Sequence, residues 1–192
     1  MTLPDRRLRW LLWVALALVG AGLWAFVIRG ADGPEDPSFG EASSDAPGDP
    51  DRVPLPGFSE LAISVDPGDG RGLLDWCLLA ALNAEQRSKG FIGVDQLDGY
   101  PGMLFVYAED WQNSFHMRGV PIPLSIAWLD VDGHIVRATD MEACPEGGED
   151  CPIYSADGTY RMAVEVPKGG LEELGIIPGS TTKITGKCAA RA

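Results

Sequence analysis

The chain has 192 residues, a formal charge of -13 and 45% apolar side chains, a length that fits one domain and argues against two large ones. That charge repels phosphate backbones and excludes nucleic acid as a partner held by counterion release. Four cysteines are too few for a miniprotein held by disulfides, yet their even number raises the question of compartment.

Residues Trp10 to Ile28 are 19 consecutive uncharged positions, WLLWVALALVGAGLWAFVI. As a helix they would extend ~28 Å, close to the ~30 Å hydrocarbon core of a bilayer. Arg6, Arg7 and Arg9 precede the run, and only Arg29 follows before acidic residues take over. The positive-inside rule then places the N-terminus in the cytoplasm and everything after Arg29 outside. Trp10, Trp13 and Trp24 lie towards the two ends, where indoles favour the interface. A cleavable signal peptide is the competing reading, and it needs small residues one and three positions before the cut. A cut after Ala31 puts Arg29 at the third position back, and a cut after Gly30 puts Ile28 there. The expectation is an uncleaved signal-anchor in the cell membrane, single-pass, behind a basic cytoplasmic segment over residues 1–9.

Residues 29–57 form the next segment. From Gly30 onward they hold six prolines, five glycines and seven acids against one base, Arg52. Such a composition buries too little apolar surface to offset its ordering entropy, and it is expected to act as a semi-extended spacer.

Residues 58–192 remain, an extracytoplasmic domain with twenty acids and ten bases and so a charge of -10 by itself. Strand signals follow one another at Glu60–Val65, Leu73–Leu82, Met103–Tyr107, Ser114–Arg118, Ser125–Asp130, Ile135–Met141, Tyr160–Val166 and Ser180–Thr185. Asp130 to Gly133 reads as a hairpin-like turn between two of them. Alternation places Tyr160, Met162, Val164 and Val166 on one face and Arg161, Ala163 and Glu165 on the other. Asn83 as N-cap, with Gln86 three residues later, opens a helix over Ala84–Gly90. A second helix is expected over Gly170–Leu174, stopped by Gly175. The fold class expected is mainly β (α+β): a compact antiparallel, barrel-like domain with two short helices, preceded by the transmembrane helix.

Several ordered blocks carry a resemblance. They are Glu85-Gln86-Arg87 with Gly90, Pro101-Gly102-Met103-Leu104-Phe105-Val106, Ser114 to Arg118, and Ile122 to Val136 with its Asp130-x-Asp132-Gly133 turn. Tyr154-Ser155, Tyr160-Arg161-x-Ala163-Val164-Glu165 and Gly175-Ile176-x-Pro178-Gly179 complete them. Over roughly residues 61–184 the chain resembles the bacterial family named domain of unknown function 192. The resemblance implies a small β-rich, barrel-like domain, often exported or membrane-anchored, and no established activity. Two departures stand out. The family pattern reads Phe-Trp-Met-Lys-Asn-Thr where this chain has Phe115-His116-Met117-Arg118-Gly119-Val120, and it has Asp where Ser125 stands.

Cys144 and Cys151 bracket a six-residue loop of turn formers, a spacing that favours a local disulfide in an exported domain. The loop acids Glu146, Glu149 and Asp150 would repel the thiolates that a metal needs. Four cysteines allow three connectivities; a Cys77–Cys188 pair would join early and late parts of the domain. On the Ser114–Arg118 strand, His116 and Arg118 share one face, where they could bind an anion or move a proton. Glu85, Arg87 and Glu165 could join Arg118 in an ion-pair cluster. The bland alternatives are a helix-dipole acid for Glu85, helix surface for Arg87 and an outer strand face for Glu165. Asp66 to Gly70 and Asp130 to Gly133 do not continue into a calcium loop, and Gly179 to Lys187 misses the phosphate-loop spacing. No metal and no cofactor are expected. The leading function is a non-catalytic binding or interaction module of the cell envelope, whose partner is an envelope protein or a small-molecule ligand. The alternative is an enzyme on an envelope substrate, with His116, Arg118, Glu85 and Glu165 as its polar site and Arg87 and Arg118 as binding candidates.

Overall fold

The computed structural model describes residues 51–145, 148 and 150–189. The expected membrane span at residues 10–28, most of the spacer, and Glu146 and Glu149 lie outside the described residues. Among the described residues no helix is long and apolar enough to cross a membrane.

Among the described residues nine strands form: β1 (Ser59–Asp66), β2 (Leu74–Ala81), β3 (Met103–Trp111), β4 (Phe115–His116), β5 (Leu124–Leu129), β6 (Ile135–Met141), β7 (Ile153–Tyr154), β8 (Tyr160–Pro167) and β9 (Thr181–Gly186). A helix, α1 (Ala84–Lys89), lies between β2 and β3. Seven strands build one sheet in the order β6-β5-β8-β3-β2-β1-β9, while β4 and β7 pair as a separate ribbon. Neighbours run antiparallel except β2 and β3, which are parallel because α1 carries the chain back over the sheet.

Two expectations need correction. The sheet does not close into a barrel. Its edge strands β6 and β9 share no ladder and meet only at one end, through a bridge between His134 and Thr181. There the Thr182 N–H donates to the Gly133 carbonyl at 3.0 Å. The second helix does not form either. Gly170 to Gly175 is a run of turns, with the Leu174 N–H on the Gly170 carbonyl at 3.3 Å and the Gly175 N–H on that of Glu172 at 3.0 Å. Glycines at 169, 170 and 175 leave too few helix-forming residues to offset nucleation.

The central strands carry long apolar runs because both faces of the sheet are covered. Leu78 and Ala80 of β2, Leu104 and Val106 of β3, and Met162, Val164 and Val166 of β8 pack on one side with Leu174 and Ile176 of the turn region. Leu79, Met103, Phe105, Ile126, Trp128 and Ala163 pack on the other, beneath Phe91, Met117 and Phe115 from α1's exit and the β4–β7 region. Tyr160 belongs to this second side, against the alternation expected for β8, because the β3–β8 register breaks between Val106 and Trp111.

Residues 51–57, read from sequence as the end of the spacer, lie against the domain. Arg52 is only 4% exposed; its Nε donates to Glu60 at 2.9 Å and its Nη2 to the Ala189 carbonyl at 2.7 Å. The sulfurs of Cys77 and Cys188 meet with their Cα atoms 5.5 Å apart, and those of Cys144 and Cys151 at 5.7 Å, both suited to disulfides.

Candidate functional site

A cleft of about 300 Å³ opens between α1, β3, the β4 region and β8. Helix α1 sets its first wall. The Asn83 side chain accepts the Gln86 N–H at 2.9 Å, and Gln86 Oε1 accepts the backbone N–H of Asn83 at 3.3 Å and of Leu82 at 2.7 Å. This capping box satisfies donors that a helix start leaves open. At the other end Gly90, at φ +43°, brings the chain within contact of Phe105; a Cβ there would stand 3.4 Å from the ring.

Arg87 hangs inward from this helix. Its Nη1 donates to the carbonyls of Leu82 at 2.6 Å and Val106 at 3.0 Å, and its guanidinium lies 4.8 Å from the centre of the Tyr107 ring. Two carbonyls and a ring face pin it in place. Aromatic rings make the remaining walls. Trp111 stacks on Tyr107 at 5.5 Å, Tyr160 meets Tyr107 edge-on at 5.3 Å, and Phe115 meets Phe105 edge-on at 5.2 Å. The Tyr160 hydroxyl donates to the Asn113 carbonyl at 2.8 Å, which ties the loop before β4 to β8.

Glu165 sits in the cleft wall with 6% of its surface exposed. On β8 it is paired with Met103 on one side and Ile126 on the other, so both sheet neighbours are apolar. Among the described residues no hydrogen bond or ion pair reaches its carboxyl. Burial alone pushes its pKa up to about 8, and it keeps its proton at neutral pH. Burial likewise raises Tyr107, helped by the neighbouring Tyr160, and pushes Tyr160 to about 12.

The residues singled out from sequence therefore part company. Arg87, His116 and Glu165 line one cleft. Glu85 is exposed in the first turn of α1, where an acid meets the helix dipole, and does not line it. Arg118 turns away to the Cys144–Cys151 loop, its Nη1 on the Gly148 carbonyl at 3.0 Å. The cluster of Glu85, Arg87 and Glu165 with Arg118 does not assemble, and Glu165 faces a covered cleft instead of an outer strand surface. Sequence reasoning missed the aromatic walls at Tyr107, Trp111 and Tyr160 and the rim groups Lys89 and Asn113. The aromatic spacing from Tyr107 to Phe115 was the available signal, but read as core it discriminates nothing.

Elsewhere, ligand atoms of Asp130, Asp132 and His134 come within 4.8 Å of one another. The Asp130 carboxylate there accepts the backbone N–H of both Asp132 and His134 at 2.9 Å, which shapes the β5–β6 turn.

The profile of the family DUF192, described as an uncharacterized ACR, matches residues 70–184. No curated protein matches the sequence. Two solved structures share the fold. One, from Sinorhizobium meliloti 1021 and provisionally described as a transcription regulator, is 22% identical with a TM-score of 0.56, over 66% of this chain and 95% of that one. The other, a protein of unknown function from Novosphingobium aromaticivorans DSM 12444, is 23% identical with a TM-score of 0.57, over 69% and 90%.

Proposed function

The chain belongs to the DUF192 family, and on that premise we propose that its domain is a non-catalytic binding module whose site is the cleft between α1, β3, β4 and β8. One observation carries the reading: Glu165 is buried in the wall of a cleft, with no partner for its carboxyl among the described residues. A ligand hydrogen bond to that carboxyl would offset part of the cost of burying it. The aromatic walls suit a small molecule, and ~300 Å³ is at the lower end of ligand pockets.

The module works at the outer face of the membrane. The 19-residue apolar run with its basic flank supports an anchor, and two cysteine pairs at bonding distance support an oxidising compartment. An enzyme on an envelope substrate is the second reading, favoured by His116 and a protonatable Glu165 lining one cleft. It lacks an activated nucleophile: among the described residues, Ser88 and Ser114 line the cleft but hydrogen-bond to neither His116 nor Glu165.

The test is a thermal-shift screen of the full chain in nonionic detergent against sugars, peptidoglycan fragments, nucleotides and metal ions. A ligand at 100 times its Kd stabilises by about 2.7 kcal/mol. Ser114 is exposed at the rim, and Ser114→Trp should fill the entrance and abolish that stabilisation. A ligand whose stabilisation survives Ser114→Trp unchanged binds elsewhere, and the cleft then loses its role.

A further inference from the structure

We propose that the cleft takes an organic anion, a carboxylate carried on a ring that stacks on the aromatic walls, with Arg87 as its charge partner. The inference rests on the reading of the cleft as a binding site and names the chemistry of its occupant.

Arg87 spends only Nη1 on the protein, on the Leu82 and Val106 carbonyls. Among the described residues its Nε and Nη2 make no hydrogen bond, and Glu165, the acid in the same cleft, forms no ion pair with it. A guanidinium presents its N–H groups as a planar fork matched to a carboxylate, so the unused half is a ready receptor for one. The other titratable groups lining the cleft come from each element around it. Lys89 comes from α1, His116 from β4, Tyr107 from β3 and Tyr160 from β8, while the β5 neighbour Ile126 carries no charge. Glu165 itself, kept protonated by burial, offers an O–H. Among the described residues no second acid lines the cleft. The cleft therefore sets no second carboxyl against a bound carboxylate, whose two oxygens match the unused half of the guanidinium. The aromatic walls at Trp111 and Phe115 supply flat surfaces for the ring. The chain's overall charge of -13 opposes an anion only at long range; beyond ~8 Å that field is screened at physiological salt.

The chain holds two histidines, which makes the experiment readable. His116 lines the cleft, and exposed His134 at the β5–β6 turn serves as internal control. Ring-proton NMR signals of both are followed in the full chain during titration with benzoate and glucuronate, which separate an aromatic from a sugar source of the carboxylate. Benzamide, glucose and benzylamine provide the neutral and cationic counterparts. At least one carboxylate should move His116 and spare His134, binding tenfold or more tightly than its neutral counterpart. Arg87→Gln should cost a further tenfold or more; Arg87→Lys, which keeps the charge without the fork, should lose less. Carboxylate affinity should fall as pH rises through about 8, where Glu165 ionises, and Glu165→Gln should flatten that fall. If benzylamine or the neutral compounds move His116 at least as strongly, the anion is overturned while the binding site stands. If no probe moves His116, both readings fall.

Discussion

Glu165 lies between Met103 and Ile126 on the sheet, and its free energy is set by solvent and not by a partner. In the unfolded chain it ionises in the ordinary carboxylate range; in the folded domain burial holds the proton until about pH 8. Between those values the native state binds a proton that the unfolded state has released. Its contribution is therefore fully present below about pH 4.5, and stability is lost as pH rises towards 8. The slope for one such proton is about 1.4 kcal/mol per pH unit. Glu165→Gln keeps the shape and removes the titration. Urea denaturation at pH 5, 6, 7 and 8 should show the wild type losing ground to the variant at each step and levelling off above pH 8. A difference that stays flat across this window would mean that the carboxyl is solvated or paired. Sequence could name Glu165 but not this behaviour. On β8 it occupies the face that simple alternation assigns to solvent, and only the covering by α1 and the β4 region turns that face inward.

At the scale of elements, much of the domain was legible. Ile135–Met141 is β6 to the residue, and the Asn83–Gln86 capping box starts α1 where the spacing places it. These signals are local, carried by alternation or by a side chain reaching its own backbone. What failed depends on distant partners. The parallel pairing of β2 with β3 leaves no mark in either strand, the two-residue β7 exists only because Phe115 and His116 lie beside it, and closure depends on how two far edges meet. Two substitutions separate these kinds of cause. Asn83→Ala removes a cap at an exposed helix start and should cost about 1 kcal/mol. Gly133 holds φ +86° where the sheet edges touch, and a Cβ there would run into the Thr182 carbonyl. Gly133→Ala should therefore cost several times more than Asn83→Ala, since strain and the lost bridge combine. Gly158→Ala, whose Cβ would meet only the Val136 side chain at 3.2 Å, is the control and should change little. Thermal melts of the three variants rank them; equal losses at 133 and 158 would show that the junction carries no strain.

Over the whole molecule, the two cysteine pairs close loops of very different size. Cys77 and Cys188 are 111 residues apart in sequence, Cys144 and Cys151 only 7. In the chain-entropy account a cross-link of about 100 residues stabilises by ~4.7 kcal/mol, and one of fewer than ten by roughly 2.5 kcal/mol. The long loop also holds a second closure. Ala189, next to Cys188, accepts Arg52 Nη2, and Arg52 is tied through Nε to Glu60, which bonds to the Tyr100 hydroxyl. The domain's entry and exit segments are thus fastened at one place by a covalent and an ionic clamp. If the cross-link positions the carbonyl for Arg52, the clamps are coupled and their losses do not add. Cys77→Ala with Cys188→Ala should cost about 4 kcal/mol, well above the roughly 2.5 kcal/mol for the Cys144, Cys151 pair. Arg52→Met should destabilise strongly in the intact chain, because it leaves the Glu60 carboxylate short of its partner. In the chain lacking Cys77 and Cys188 the same substitution should cost less, since the released tail has already withdrawn the Ala189 carbonyl. Denaturant titration of this four-member cycle decides the point. Strict additivity would mean that the tail stays in place without its cross-link and that Arg52, not the disulfide, holds the exit segment.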